Sequence, residues 1–249
     1  MSDEFEGRVA IVTGAAGGVG RDVVRLLAER GARVVAEDLD PAVQDLADDG
    51  RVVAVEGDVS HAATAELAVS TALDQFGRLD ILINNAGRFL LKPIVETSEE
   101  EWDSIFAINA KGAFLHCRAA LPHLEASGAG SIVNTASISG IVGLNDQTAY
   151  CASKGALVQL TRQLAVDYAA RHVRVNAVAP GAIDTPLLTG PLSALPDFAE
   201  RMAGIAAHHP MGRISQPSET AEIVVFLASP RASFVTGVIV PVDGGLTAA

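Results

Sequence analysis

The chain has 249 residues, 49% hydrophobic and 19% charged, with a formal charge of −12 from 18 Lys+Arg against 30 Asp+Glu. That composition excludes a disordered chain, and the acidic balance repels nucleic-acid phosphates and anionic lipid, so both are poor partners. No apolar run is long enough to span a bilayer, and the acidic start Met1-Ser2-Asp3-Glu4-Phe5-Glu6 is the reverse of a secretory signal, so a cytoplasmic protein is expected.

From the N-terminus, short β-branched runs at 8–12, 33–37, 52–56, 79–83, 131–134, 173–178 and 238–240 read as strands. Near-continuous apolar runs of this kind suit parallel strands buried on both faces. Helical patterns lie between them at 18–30, 41–48, 61–76, 99–126, 148–171 and 217–228. Ser98 with Glu101 three residues on is a capping-box signature, and Pro217 suits a first helical turn. Strand–helix alternation implies right-handed crossovers and a doubly wound α/β fold of the Rossmann type, with about seven parallel strands. No Ser/Gly/Pro-rich linker divides it, so one domain over 1–249 is expected. The stretch 185–213, with Pro186, Gly190, Pro191, Pro196 and Pro210, falls outside the rhythm and reads as an irregular functional lid, the alternative being a short helix pair.

The first strand runs into Thr13-Gly14-Ala15-Ala16-Gly17-Gly18-Val19-Gly20 and then a helix. Gly14, Gly17, Gly18 and Gly20 permit a tight turn and let backbone N–H groups, that of Val19 included, approach a pyrophosphate at the positive end of the helix. The spacing is G-xxx-G-x-G, a loose match to the general dinucleotide fingerprint, and a glycine-rich turn alone can be purely steric. Asp38 follows Gly20 by 18 residues, close to the interval at which a carboxylate meets an adenosine ribose. With Glu37 beside it and no Lys or Arg from 36 to 50, this strand end repels a 2′-phosphate, so NAD is expected over NADP. Asp58 in Gly57-Asp58-Val59 is placed to accept from an adenine amino group. In Asn84-Asn85-Ala86-Gly87 we expect Asn84 to be structural, and Asn85, Ala86 and Gly87 to face the cofactor.

Ser137 and Ser139 lie just past the fifth strand, where ligands of open α/β sheets bind; on position alone either hydroxyl could hold a substrate carbonyl oxygen. Thirteen residues after Ser137 comes Tyr150, with Lys154 one helical turn on and on the same face. An ammonium beside a phenol can turn a group with a pKa of about 10 into an acid or base usable near neutral pH. With two tyrosines and three lysines in the chain, chance gives this spacing in roughly two or three per cent of cases. Cys117 and Cys151 lack zinc-ligand spacing, and the six histidines form no HxxxH pair or His/Cys cluster, so reduced thiols and no catalytic metal are expected.

These pieces together resemble the short-chain dehydrogenase/reductase family nearly end to end: the glycine loop, Asn-Asn-Ala-Gly at 84–87, Asn109, Ser137, Tyr150-x-x-x-Lys154, Pro180-Gly181 with Thr185, and the closing Val235-Thr236-Gly237 and Pro241-Val242-Asp243-Gly244-Gly245. The resemblance selects Ser137 over Ser139 and implies that Tyr150 is the general acid/base. It further implies that Lys154 lowers the phenol pKa and meets the nicotinamide ribose, that Asn109 holds a water linking Lys154 to solvent, and that Ile183 and Thr185 meet the nicotinamide carboxamide, beside Pro180 and Gly181. Family members commonly pair helices such as those at 99–126 and 148–171 across two-fold axes, which implies a homotetramer. The expected activity is NAD-dependent interconversion of a secondary alcohol and its ketone.

Two other readings compete. One is an NADPH-dependent 3-oxoacyl-[acyl-carrier-protein] reductase, for which Arg171 and Arg174 would form a basic patch. The other is a dinucleotide-sensing protein without catalysis, which the intact serine, tyrosine and lysine disfavour. Neither 138–149 nor 175–200 holds a Lys or Arg, while Ile138, Ile141, Val142, Leu144, Leu187, Leu188, Leu192 and Leu195 supply apolar surface. A small, neutral, largely apolar alcohol or ketone is therefore expected. Arg88 and Lys92, just after the Asn-Asn-Ala-Gly turn, are the cations that could reach that site, and Asn145, Gln147 and His208 are candidates for directed hydrogen bonds.

Overall fold

A computed structural model describes residues 4–48, 50–193 and 196–248. Seven strands form one parallel sheet in the order β3-β2-β1-β4-β5-β6-β7: β1 Val9–Thr13, β2 Arg33–Asp38, β3 Val52–Glu56, β4 Ile81–Asn84, β5 Gly130–Thr135, β6 Val173–Pro180 and β7 Ile239–Val242. Each strand run read from the sequence becomes a strand, shifted by at most two residues at either end. The reason for their uniform apolarity is visible in β1. Ala10 and Val12 pack into a core with helices α1 (Gly18–Glu29) and α8 (Pro217–Ala228), while Val9 and Ile11 pack on the other face with α2 (Ala62–Phe76). Burial on both faces leaves no position for a polar alternate.

The order of strands turns back between β1 and β4, and their carboxyl ends open a crevice there. Below it the opposite ends are fixed by Asp80, fully buried, which accepts from the Val9 N–H and from the guanidinium groups of Arg8 and Arg78.

Ser98 and Glu101 form the expected capping box at the start of α3 (Glu99–Phe106), and Pro217 occupies the first turn of α8. Three stretches differ from the sequence reading. The run at 41–48 is a 3₁₀ helix over Pro41–Leu46, which keeps a tighter turn behind its Asp40 cap. The span 99–126 is not one helix: a π turn over Ala107–Gly112 separates α3 from α4 (Ala113–Ala126). The stretch 185–213 is not irregular, because it contains α6 (Pro186–Ser193) and α7 (Phe198–Ala207). Pro186 begins α6, and Pro196 and Pro210 lie in the turns that follow α6 and α7, whereas Gly190 falls within α6. Leu195 lies outside the described residues.

Among the described residues no helix is long and apolar enough to cross a membrane.

Candidate active site

The glycine loop leaves β1 and enters α1 with Gly17 as the N-cap and no side chain or acidic residue closing that end. A Cβ on Gly20 would lie 1.9 Å from the Gly14 carbonyl oxygen, so only glycine lets the helix start press against the strand exit. Val19 buries its side chain in the core, which leaves only its backbone to meet a ligand. The Asn85 amide donates to the Thr13 and Gly14 carbonyls, and its oxygen accepts from Thr135. Asn85 therefore braces the loop with its side chain, and the backbone from Asn85 to Gly87 forms the wall. Thr13, which the sequence reading passed over, accepts from the N–H groups of Asn85 and Ala86.

Asp38 accepts from Ala16 N–H at 2.9 Å and from Asp40 N–H at 2.9 Å, fixing its carboxylate beside the glycine loop. Glu37 does not share that edge. Its side chain is fully buried and meets His116 Nε2 of α4 at 2.8 Å, so its expected part in repelling a 2′-phosphate is withdrawn. Strand alternation is the cause: neighbouring residues of β2 point to opposite faces. Asp58 is held below the usual carboxylate range. Burial opposes that shift, and the Ser60 amide and hydroxyl outweigh it. Val59 is buried beside the π turn at Gly112.

On α5 (Thr148–Tyr168), Tyr150 and Lys154 are both buried, with the ammonium 5.8 Å from the phenol ring centroid. Lys154 Nζ donates to the Thr135 carbonyl at 2.7 Å. Burial pushes the Tyr150 phenol up to about 12, with the Ser137 hydroxyl pulling it back, and burial pushes Lys154 down to about 8. In this structure burial sets the direction of the phenol and the Ser137 hydroxyl is what opposes it. Phe89 stands edge-on to Tyr150, ring centroids 5.0 Å apart.

The π turn carries Asn109 inward. A Cβ on Gly87 would lie 3.4 Å from both Asn109 Oδ1 and Lys154 Nζ, so the three residues converge. Both amide hydrogens of Asn109 are spent, on the Arg88 carbonyl and Ser153 Oγ, and Oδ1 accepts from Arg88 N–H. One Oδ1 lone pair remains for the water that the resemblance implies. A cavity of about 10 Å³, near the smallest that can hold one water, lies between Thr13, Asn84, Asn109 and His116.

Pro180 ends β6, and Gly181 N–H donates to the Val242 carbonyl. Ile183 pairs with Ser215, and Thr185 lies where a Cβ on Gly18 would meet its methyl at 3.0 Å. The sequence reading named His208 in this region, but the buried histidine is His209. Its Nε2 accepts from Ala182 N–H at 3.1 Å and its Nδ1–H donates to the Ile205 carbonyl of α7 at 2.9 Å. It ties the lid to the Gly181–Thr185 loop.

Most of the expected site residues meet in the crevice between β1 and β4, on backbone amides suited to phosphate and a carboxylate suited to ribose hydroxyls. The family model described as enoyl-(acyl carrier protein) reductase matches residues 14–247. The cis-4-hydroxycyclohexanecarboxylate dehydrogenase of Sinomonas cyclohexanicum is 45% identical over the full length of both chains. The chain belongs to the short-chain dehydrogenase/reductase family. A second member, the cyclohexanol dehydrogenase of Acinetobacter sp. (strain SE19), is 37% identical, with 99% of this chain and 98% of the relative covered. The crystal structure of levodione reductase superposes with a TM-score of 0.93 at 35% identity, covering 98% of this chain and 99% of that one. As a short-chain dehydrogenase/reductase the chain is an enzyme acting on CH–OH groups, with a nicotinamide dinucleotide cofactor.

Proposed function

We propose that this enzyme is an NAD-dependent dehydrogenase of small, neutral secondary alcohols, cyclic ones included, and the reductase of the matching ketones. The observation that carries it is the meeting of Ser137, Tyr150 and Lys154 under apolar walls, with the neighbouring cations among the described residues directed to other partners. Arg88 donates to Ser104 Oγ, Lys92 is paired with Glu101 at 2.6 Å, and Arg213 is paired with Glu219. Phe89, Ile138 and Leu192 add buried or half-buried apolar surface. The cyclohexane ring in the names of two relatives fits such walls.

In the oxidative direction Tyr150 Oη accepts the alcohol proton and Ser137 Oγ holds the reacting oxygen. Lys154, anchored by Thr135, places positive charge near the phenolate as it forms. The bound nicotinamide supplies the hydride acceptor. In reduction Tyr150 returns the proton to the developing alkoxide. Asp38 selects NAD by accepting from ribose hydroxyls and repelling a 2′-phosphate. A cytoplasmic homotetramer completes the reading, supported by the exposed Phe114 on α4 and Val166 on α5.

The acyl-carrier alternative loses its basic patch. Arg174 is turned inward and donates to the carbonyls of Leu227, Ala228 and Ser229 at the end of α8, while Arg171 pairs with Glu125. The test is kinetics with NAD⁺ on matched alcohols, cyclohexanol against cis-4-hydroxycyclohexanecarboxylate. A higher kcat/KM for the neutral member is expected. Preference for the carboxylate that Arg88→Ala abolishes would refute the neutral-substrate reading, and no turnover of any alcohol would favour a sensor.

A further inference from the structure

Ser137 does not stand alone. Its Oγ accepts from Ser139 N–H at 3.1 Å and lies 3.2 Å from Ser139 Oγ, and Ser139 Oγ in turn lies 2.8 Å from the Gln147 side-chain amide oxygen. Both serines are buried, in the 3₁₀ turn that follows β5 and its cap, while Gln147 is the residue before α5. A chain of three polar side chains therefore runs from the edge of the pocket to the serine beside Tyr150.

Such a chain has two polarities. In one, hydrogens point outward: Ser137 O–H donates to Ser139, and Ser139 O–H donates to Gln147 Oε1. Ser137 then has no hydrogen left for a substrate oxygen. In the other, the amide is turned over, its N–H donates to Ser139 Oγ, and Ser139 O–H donates to Ser137 Oγ. The Ser137 hydrogen is then free to donate. Hydroxyls donate and accept from one position, and an amide exchanges N for O by rotation, so the same heavy-atom positions serve both. Negative charge developing on the reacting oxygen favours the inward polarity, and each bond of the chain polarises the next.

We propose that Ser139 and Gln147 are positioning residues that set the direction of the Ser137 hydroxyl, the productive order running from the Gln147 amide through Ser139 and Ser137 to the substrate oxygen. This rests on the reading that Ser137 holds that oxygen. Glutamine is required at 147 because it can reverse. A carboxylate there only accepts, and holds the chain in the unproductive order.

The experiment is steady-state kinetics of Gln147→Glu and Gln147→Met, each alone and combined with Ser139→Ala. Loss of a whole oxyanion donor costs about 10²–10³ in kcat, and a misdirected one should cost less. Gln147→Glu is expected to fall about tenfold below Gln147→Met in kcat, with KM for NAD⁺ little changed, although Glu is the closer match in shape. In the Ser139→Ala background the two should become equal. Equal single variants would overturn the proposal. So would a glutamate deficit that persists without Ser139, because that outcome assigns the effect to the carboxylate's field on Tyr150. Ser139→Thr, which keeps the hydroxyl, should recover the rate that Ser139→Ala loses, and it provides a test even if the Gln147 variants fold poorly; failure of that rescue also counts against the chain. Ser137→Ala with most of its activity intact would sink the catalytic reading beneath it, and the proposal with it.

Discussion

His116 Nε2 and Glu37 Oε2 lie 2.8 Å apart with neither residue more than 1% exposed, and His116 Nδ1 is 2.9 Å from the Gly112 carbonyl. A carbonyl only accepts, so Nδ1 carries a hydrogen, and one further proton is shared between Nε2 and the carboxylate. Burial pushes the Glu37 carboxyl up, with His116 only partly offsetting it. Burial works against the His116 imidazolium, and Glu37 overcomes this to raise it. Asp38 and Asp58 add to the retention of the proton on Glu37. Both groups thus hold protons more tightly folded than unfolded, and stability falls as pH rises above the ordinary imidazole value of 6.5. Glu37→Gln can donate to Nε2 without titrating. Thermal melting of wild type and this variant from pH 6 to pH 9 should show a steeper fall for wild type; parallel curves would count against a shared proton.

Cofactor choice separates the two neighbouring acids. Asp38→Ala should narrow the preference for NAD⁺ over NADP⁺, while Glu37→Gln should leave it unchanged, since only Asp38 is fixed beside the glycine loop. A wild type with higher kcat/KM for NADP⁺ would show that β2 has been misread.

Tyr150→Phe keeps the ring against Phe89 and removes the proton acceptor. General acid–base help is worth about 10²–10⁴-fold, and a loss of that size is expected with NAD binding retained in calorimetry. With the phenol pushed up to about 12, the phenolate fraction grows throughout the working range, so wild-type oxidation should speed up from pH 6 to pH 10. A flat profile with chemistry rate-limiting would place the base elsewhere.

His209→Leu leaves the Ala182 N–H without its acceptor. An unsatisfied buried donor costs about 1–3 kcal/mol, and a raised KM for NAD⁺ of about tenfold corresponds to the lower half of that range. His209→Gln can place an amide oxygen near the Nε2 position and should stay close to wild type. Equal KM values for the two variants would argue against this latch.

Val166, 78% exposed, is the more exposed of the two large apolar residues that α4 and α5 leave uncovered, Phe114 being the other. Light scattering should give a tetramer mass at micromolar concentration, and Val166→Glu should lower it. A monomeric wild type would refute the assembly.

The strand pattern was legible because a parallel sheet covered on both sides requires apolar residues at every position, as in β1. The Tyr150–Lys154 pair was legible because helix spacing alone places both on one face. Glu37 was misjudged because the strand's alternation sends it to the other face from Asp38, toward a histidine 79 positions away in sequence. His209 was missed for a related reason: its partners, Ala182 and Ile205, belong to different segments, and only the folded chain brings them together. The protonic order of Ser137, Ser139 and Gln147 depends on loop geometry that no periodicity encodes.

The π turn at Ala107–Gly112 has a consequence for how this protein tolerates insertions and deletions. A π turn holds about one residue more than the α turn it replaces, so the helices on either side are rotated out of phase by roughly 100°. Removing a single residue such as Ala110 would restore one regular helix of unbroken phase. Asn109 would then swing off Gly87 and Lys154, or the whole of α4, with His116 and Cys117, would turn its buried face outward. A one-residue deletion at Ala110, beside Asn109, would therefore take the site apart although it removes no functional side chain. The count of residues in this segment, as much as their identity, keeps the site assembled.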